Sequence, residues 1–427
     1  MIKNKVLKNA SWIIVCRIVQ ALLGLVISMF TARYLGPSNY GLINYAMSLV
    51  AFVTPITLLG LDEVLVQEFV NHPDKEGEAI GSSIAMSIVS ALLCIVGVGA
   101  FAFVANGSEI ETLIVCILYS TILIFKAMEL IQYWFQAKLM AKYSSVISVI
   151  AYVVVSSYRI FLLVTQKSLY WFAVANALDA LLIAVILIVI YRRKSNQKIR
   201  VSPSMCKYLL NQGKYYILAN LMVVLFSQTD RIMINMMIDS AATGYYSAAV
   251  HITNLSAFVF SAIVTSARPS IFKGKSVSEE KFEKLLSQLY SVIIYGALLQ
   301  GIVMTIFATP IISLLYGREF LPAVNSLRIV VWYTAFSYIG GVRNIWMLAE
   351  SKQKYILPIN LCGAVANVVL NYFLIPVMGI EGAAIASCFT QLFTNVIIGF
   401  IWKPIRRNNV LILRALNPTL IFGFLKP

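Results

Sequence analysis

Eight ionisable residues stand inside long apolar runs of this 427-residue chain: Arg17, Lys126, Arg159, Arg231 and Arg343, with Glu129, Asp179 and Asp230. At the centre of a lipid-crossing segment a charge costs at least ~2.5–3.5 kcal/mol on insertion scales, so each is a functional candidate by default. The residue types suggest two chemistries. A guanidinium offers a planar fork that binds phosphate oxygens bidentately, so the basic set suits an anionic, phosphate-bearing substrate. A carboxyl group at such depth must find a cation or take up a proton, so Glu129, Asp179 and Asp230 are candidates for coupling to H⁺ or Na⁺. If the eight line one cavity, its sign is positive, which favours an anionic cargo. A carrier of cationic drugs is expected to show the opposite bias.

Each charge also has a reading without a ligand. Lys126 and Glu129 are three residues apart and can neutralise one another on one helix face. Asp230 and Arg231 are adjacent, so they diverge on a helix and each needs another partner. Asp179 has eleven apolar residues after it and no local cation, so it is either paired across helices or protonated. Arg328 is near enough to a span end to snorkel, Asp62 and Glu63 can face headgroups, and His251 reads as a hydrogen-bonded packing residue.

The elements that must position these residues follow from composition. The chain is 60% hydrophobic and 12% charged, against about 45–50% and about 25% in a soluble protein. The apolar residues come in runs of roughly twenty, the length of a helix across ~30 Å of hydrocarbon. Within 178-LDALLIAVILIVIYRR-193 there is no period-two alternation, which excludes the short alternating strands of a membrane barrel. The expectation is an all-α polytopic membrane protein. Its twelve spans fall at 11–32, 41–62, 80–105, 111–135, 144–165, 169–191, 210–238, 244–267, 286–316, 325–349, 356–378 and 381–402.

Alternate loops and the two termini carry 25 Lys and Arg, and the intervening loops carry three, Arg33, Lys167 and Arg318. This asymmetry places both termini in the cytoplasm and supports an even span count. Trp12, Trp134, Trp171 and Trp402 fall near span ends, as an interfacial aromatic belt requires. The net charge of +16 is then read as orienting the spans and meeting anionic bilayer lipid. No base-stacking motif accompanies it, so nucleic acid is not an expected partner.

The domain reading is 1–191 as an N-terminal six-helix bundle, 192–209 as a basic cytoplasmic linker, 210–402 as a C-terminal six-helix bundle and 403–427 as a basic cytoplasmic tail. A weak repeat supports two halves: 40-YGLINYAMSLVAFV-53 resembles 243-TGYYSAAVHITNLSAFV-259. In 278-SEEKFEKLLSQLY-290, Ser278 can cap a helix with an acidic first turn that leads into the ninth span. Lys3, Lys5 and Lys8 mimic a signal peptide, but Arg17 interrupts the apolar stretch and no cleavage site follows, so it reads as an uncleaved first span. Five of the six cysteines lie in apolar runs and none has metal-ligand spacing, so no metal and no cofactor are expected. Metal-ligand clusters, a phosphate-cradling glycine loop, a His-Asp pair and an Asp-x-Asp motif are all missing from the sequence. Every outward loop is about a dozen residues or fewer. A polymerase or glycosyltransferase is therefore disfavoured, and the chain is not read as an enzyme.

Four segments carry a family resemblance: 31-TARYLGPSNYGLINYAMSLV-50, 228-QTDRIMINMMIDSAATGYYSAA-249, 315-LYGREFLPAVNSLRI-329 and 360-NLCGAVANVVLNYFLIPVMGIEGAAIAS-387. Together they resemble the polysaccharide-exporter branch of the multidrug/oligosaccharidyl-lipid/polysaccharide (MOP) exporter superfamily, and most resemble the O-antigen flippases (Wzx-type). The resemblance runs from about residue 5 to about residue 402. It implies a MATE-like fold of two six-helix bundles around a central cavity. It implies a bacterial inner-membrane flippase that moves undecaprenyl-diphosphate-linked oligosaccharide from the cytoplasmic to the periplasmic leaflet, with other polysaccharide assembly proteins as candidate partners. A multidrug antiporter of the same fold is the alternative. Of the candidate site residues, only Asp230 and Arg231 fall in matched segments; Lys126, Glu129, Arg159, Asp179, Arg343 and Arg17 rest on burial cost alone.

Overall fold

A computed structural model describes residues 2–107, 109–195 and 197–421, with side chains omitted for 2–19, 21, 22, 141 and 258. The described residues are helical throughout, with no strand. Ten of their helices are long and apolar enough to cross a membrane. The first runs through two expected spans, and α14, below, stands at the expected tenth. The twelve-span expectation therefore finds a counterpart for each span.

The chain forms two compact units, Met1–Gln228 and Thr229–Pro427. Unit 1 contains α1 (Ile2–Leu58), α2 (Leu61–Asn71), α3 (Glu76–Ala105), α4 (Ile110–Ser120), α5 (Ile122–Glu129), α6 (Gln132–Ala137), α7 (Ala141–Val164), α8 (Leu169–Lys194) and the first part of α9 (Pro203–Met237). In α1 the helix is interrupted at Gly36, with φ 72° and ψ 173°, followed by Pro37. Glycine reaches that φ without a Cβ penalty, and proline cannot continue the preceding hydrogen-bond ladder. The Leu-Gly-Pro of the first resemblance block is thus the corner between the first two spans.

Unit 2 holds the rest of α9, α10 (Ser240–Asn254), α11 (Ala257–Val277), α12 (Glu279–Ile306), α13 (Ala308–Leu315), α14 (Ala323–Ala349), α15 (Ile356–Met378), α16 (Ile380–Leu392), a π-helical turn at Phe393–Ile397, α17 (Ile398–Ile401) and α18 (Arg406–Arg414). Ser278 caps α12 as expected, its hydroxyl accepting from the Lys281 amide at 3.1 Å, with Glu279 and Glu280 in the first turn. α12 continues from this cap straight into the span. Gly379, at φ 62°, turns the chain between α15 and α16 within the Gly-Ile-x-Gly-Ala-Ala block.

Both units turn apolar side chains outward, as a lipid solvent requires. On α3, Leu93 and Val96 are each 70% exposed, while Ser82, Ser83 and Ser87 are buried. Ser83 donates along its own helix to the Ile80 carbonyl at 2.9 Å, and Ser82 reaches across to the Ser202 carbonyl at 3.3 Å. The core of unit 1 gathers Leu61, Phe69, Ile80, Trp134, Phe135 and Tyr191. Unit 2 has one core around Phe282, Tyr290, Ile293, Val342 and Trp346, and a second around Ile234, Tyr246, Val330 and Ala383.

The boundary between the units falls inside α9, not in the 192–209 segment expected as a linker. The physical reason is that this segment is fastened to unit 1. The Arg200 amide donates to the Gly77 carbonyl at 3.0 Å, Gln197 Oε1 accepts from the Gly77 amide at 2.8 Å, and the Ser202 amide donates to Ser82 Oγ at 3.0 Å. Within unit 1, the early part of α9 packs closely as well, a Cβ on Gly213 colliding with the Leu59 carbonyl oxygen.

The described part of the basic tail, 403–421, packs on unit 2. Asn408, Asn409, Leu411, Ile412 and Ala415 are buried in unit 2. Arg407 reaches Glu279 at 2.7 Å and Glu283 at 2.8 Å, and Arg414 reaches Glu283 at 2.8 Å. These acids hold the Arg407 guanidinium above its ordinary pKa, the Glu283 bond contributing most. Tyr290 donates to Asn408 at 2.8 Å, and Tyr295 to the Leu416 carbonyl at 2.6 Å.

Candidate functional site

In unit 1, four of the candidate charges are brought together. Lys126 and Glu129 lie on α5, an eight-residue helix set off by tight turns at both ends. There the ladder narrows to three-residue spacing: the Ile124 amide donates to Thr121 at 3.2 Å, and the Trp134 amide to Ile131 at 3.1 Å. Such 3₁₀ interruptions inside a span often mark a hinge. Glu129 is within electrostatic reach of Lys126 and of Asp179 on α8, and Asp179 is within reach of Arg159 on α7. Arg159 donates to Asn176 Oδ1 at 2.6 Å, and Asn176 donates to the Tyr119 hydroxyl at 3.0 Å. Tyr152 hydrogen-bonds Arg159 as well. Asp179 Oδ1 is buried and has no hydrogen-bond partner.

The arrangement places two cations beside two acids in one bundle. Arg159 is positioned by a neutral amide rather than by a carboxylate, so its charge remains available to an anion. Arg17 lies outside the residues whose side chains are described.

In unit 2, Asp230 is the centre of a buried polar knot. Its Oδ2 accepts from the Tyr246 hydroxyl at 2.5 Å and from the Ser387 hydroxyl. Its Oδ1 accepts from Asn371 Nδ2 at 2.7 Å. Asn371 Nδ2 also reaches Asn367 Oδ1 at 3.1 Å, and Asn367 Nδ2 reaches Ser387 Oγ at 3.3 Å. Four helices, α9, α10, α15 and α16, therefore meet on one carboxylate, and every donor comes from a resemblance block, 228–249 or 360–387. Those blocks read in sequence as small residues and turns, with Asp230 and Arg231 as the candidate site residues among them. The signal for the rest of the knot was the neutral polar residues Asn367, Asn371 and Ser387 within an apolar run.

Asn371 Oδ1 is buried without a hydrogen-bond partner. No cluster of three or more His, Cys, Asp or Glu that could hold a metal occurs among the described residues. Arg231, 8% exposed, diverges from Asp230 as adjacency dictates. It lies within electrostatic reach of His251, Tyr246 and Tyr333.

Arg343 is placed differently from the other candidates. It is 4% exposed on α14 and donates to the Thr394 carbonyl. That carbonyl belongs to the π-helical turn, whose wider spacing frees main-chain acceptors. The next freed acceptor in this turn, Val396, is taken by Asn409 Nδ2 at 2.6 Å. Arg343 and the docked α18 therefore both hold the same irregular turn of the last span.

Comparison with known proteins follows these observations. A family model described as "Polysaccharide biosynthesis protein" matches residues 6–275, and one described as MatE matches residues 216–373. An uncharacterized membrane protein of Methanocaldococcus jannaschii is 24% identical over 429 residues, covering 91% of this chain and 82% of that protein. Among solved structures, the lipid II flippase MurJ in an inward closed conformation is similar with a TM-score of 0.74. The identity is 15%, over 97% of this chain and 92% of that one. An inward-facing multidrug resistance MATE family transporter of the MOP superfamily is similar with a TM-score of 0.67 and 14% identity, over 92% and 96%. At these identities the likeness shows the fold, which is the MATE-like fold expected.

Proposed function

This chain belongs to the polysaccharide biosynthesis protein family, and from that premise we propose that it is a flippase for undecaprenyl-diphosphate-linked oligosaccharide, an O-antigen or similar surface-polysaccharide repeat unit. It is a multi-pass membrane transporter of the MOP type. The finer reading has the cargo move from the cytoplasmic to the periplasmic leaflet of a bacterial inner membrane, both termini being cytoplasmic. The observation that carries it is the Arg159 guanidinium, held inside unit 1 by Asn176 and without a carboxylate in salt-bridge contact among the described residues. It is a cation held by a neutral amide, with Asp179 within electrostatic reach but not in salt-bridge contact, and so able to pair with a phosphate. Lys126 is the second cation of that group.

The two units alternate access, the diphosphate pairing with the basic side chains while the polyprenyl tail stays in lipid. Glu129 and Asp179 are the unit 1 candidates for taking up the coupling H⁺ or Na⁺. In unit 2, Asp230 is the candidate for the same role. A ligand of this kind shifts the transport cycle only as far as it prefers one state over the other.

The test is complementation in cells that lack their own flippase but carry matching glycan genes. Surface polymer that is lost when Lys126 and Arg159 are both changed to Gln, with the protein still inserted, supports the reading. Absence of polymer with the wild-type chain, inserted and matched to its glycan, contradicts it. A second reading, a MATE-type cation antiporter, is favoured by the MatE match over 216–373 and by the acids Glu129 and Asp179. Drug-resistance phenotypes that depend on those two acids would bring it forward.

A further inference from the structure

Unit 1 has a cavity of about 430 Å³ away from the four charges just described, at the loop-bearing end of α3, α6 and α8. Its interior is anchored by Glu76, whose side chain is 6% exposed. Glu76 Oε2 accepts from Trp134 Nε1 at 2.6 Å, and its other oxygen is paired with the Lys138 ammonium. One wall is Gln197, pinned at both ends of its amide: Nε2 donates to the Pro73 carbonyl at 2.6 Å, and Oε1 accepts from the Gly77 amide at 2.8 Å. The opposite lip carries Lys194. Its Nζ rests 4.9 Å from the centroid of the Tyr143 ring and has no carboxylate in salt-bridge contact among the described residues.

We propose that this cavity binds the headgroup of an anionic glycerophospholipid of the cytoplasmic leaflet, with the phosphodiester on Lys194 and the glycerol against Trp134. The charge balance selects the ligand. Glu76 and Lys138 cancel, so the cavity offers one uncompensated positive charge, matching one phosphodiester. A lipid diphosphate carries at least two negative charges and would leave one unmatched in a partly dry site. The volume is at the small end of ligand pockets, which begin near ~300 Å³, and suits a headgroup rather than an oligosaccharide. Basic pockets between helices at the cytoplasmic side are a recurrent way of holding such headgroups. The cavity wall at Gln197 begins the 197–202 segment that fastens to α3, so a bound headgroup would brace the start of the passage toward α9. Placing the cavity in the cytoplasmic leaflet rests on the orientation proposed above; the binding chemistry does not.

The test uses the purified full-length chain in detergent, with short-chain phosphatidylglycerol, phosphatidylcholine, undecaprenyl diphosphate and inorganic phosphate as separate probes. Phosphatidylglycerol binding should weaken about fivefold in Lys194→Gln and about thirtyfold in Lys194→Glu. Phosphatidylcholine binding and the Lys273→Gln control, an exposed lysine of unit 2, should be unchanged. Because Lys194 is exposed, both variants retain the wild-type elution profile and melting temperature. Unchanged phosphatidylglycerol binding in both variants overturns the proposal. So does a loss confined to undecaprenyl diphosphate, which would assign the cavity to the transported cargo, or an equal loss for inorganic phosphate, which would make it a free-anion site. A detergent binding assay is blind to membrane orientation and to transport, so its failure leaves the flippase reading standing.

Discussion

Removing the carboxylate of Asp230 should unlock four helices of unit 2 at once. Asp230→Ala deprives three buried donors of their acceptor: Tyr246, Asn371 and Ser387. Asn371 keeps its bond to Asn367, while the hydroxyls of Tyr246 and Ser387 both lose the acceptor they donate to. A buried donor left unsatisfied costs ~1–3 kcal/mol, and losing bonds to a charged acceptor ~1.5–3 each. Allowing for the one donor that is partly re-satisfied, the total is about 3–5 kcal/mol. Tyr246→Phe alone should cost ~1.5–3 kcal/mol, because Oδ2 retains Ser387. The two changes act through one bond, so the double variant should be no less stable than Asp230→Ala, a coupling of about 1.5–3 kcal/mol. Unfolding of the purified protein in mixed micelles gives the free energies, and hydrogen exchange across 228–249 and 360–387 gives their location. An Asp230→Ala protein within 1 kcal/mol of wild type would refute the reasoning. So would Tyr246→Phe adding its full cost on top of Asp230→Ala.

Three other outcomes follow from the same geometry. Glu283→Gln removes the partner shared by Arg407 and Arg414, both about half exposed; since exposed pairs are worth ~0–1 kcal/mol, hydrogen exchange in α18 should quicken without loss of the fold, and high salt should mimic the change in the wild type. Gly81→Ala drives a Cβ onto the Arg200 carbonyl oxygen, so the 195–202 segment should detach at a cost of ~1–3 kcal/mol, seen as new protease cleavage there with α3 still inserted. Arg343→Leu leaves the Thr394 carbonyl without its donor while relieving a buried cation, so it should be far milder in unfolding than Arg343→Ala, which adds a cavity; equal destabilisation by the two would show that the charge itself is needed.

What the sequence made legible was set by physics local in the chain. Runs of twenty apolar residues fix the spans, Ser278 with its acidic turn fixes the start of α12, and Gly36–Pro37 fixes the first corner. The asymmetry of lysine and arginine among loops needs no tertiary knowledge. What escaped depends on contacts between distant segments. Asp230 was flagged by its cost in lipid, but its donors Tyr246, Asn371 and Ser387 are neutral and raise no such flag. Arg343 matches the other candidate cations in type and depth; that it donates to a main-chain oxygen of a π-helical turn is announced by no residue type. The 192–209 segment is basic and hydrophilic, the look of a free linker, yet Gln197, Arg200 and Ser202 pair with backbone and hydroxyl groups of α3. The arginines of α18 met Glu279 and Glu283 for the same reason: their charge was visible, and their neighbours were not.

The central claim is that this transporter carries an anionic lipid-linked sugar. The purified chain in vesicles can be given undecaprenyl-diphosphate oligosaccharide with a fluorescent sugar, and the fraction reached by an external quencher followed over time. The account predicts transfer between leaflets that is lost when Lys126 and Arg159 are both Gln, while Lys273→Gln transfers normally. Transfer no faster than in protein-free vesicles, together with proton-driven uptake of a cationic dye that requires Glu129 and Asp179, would contradict it and establish the antiporter reading instead.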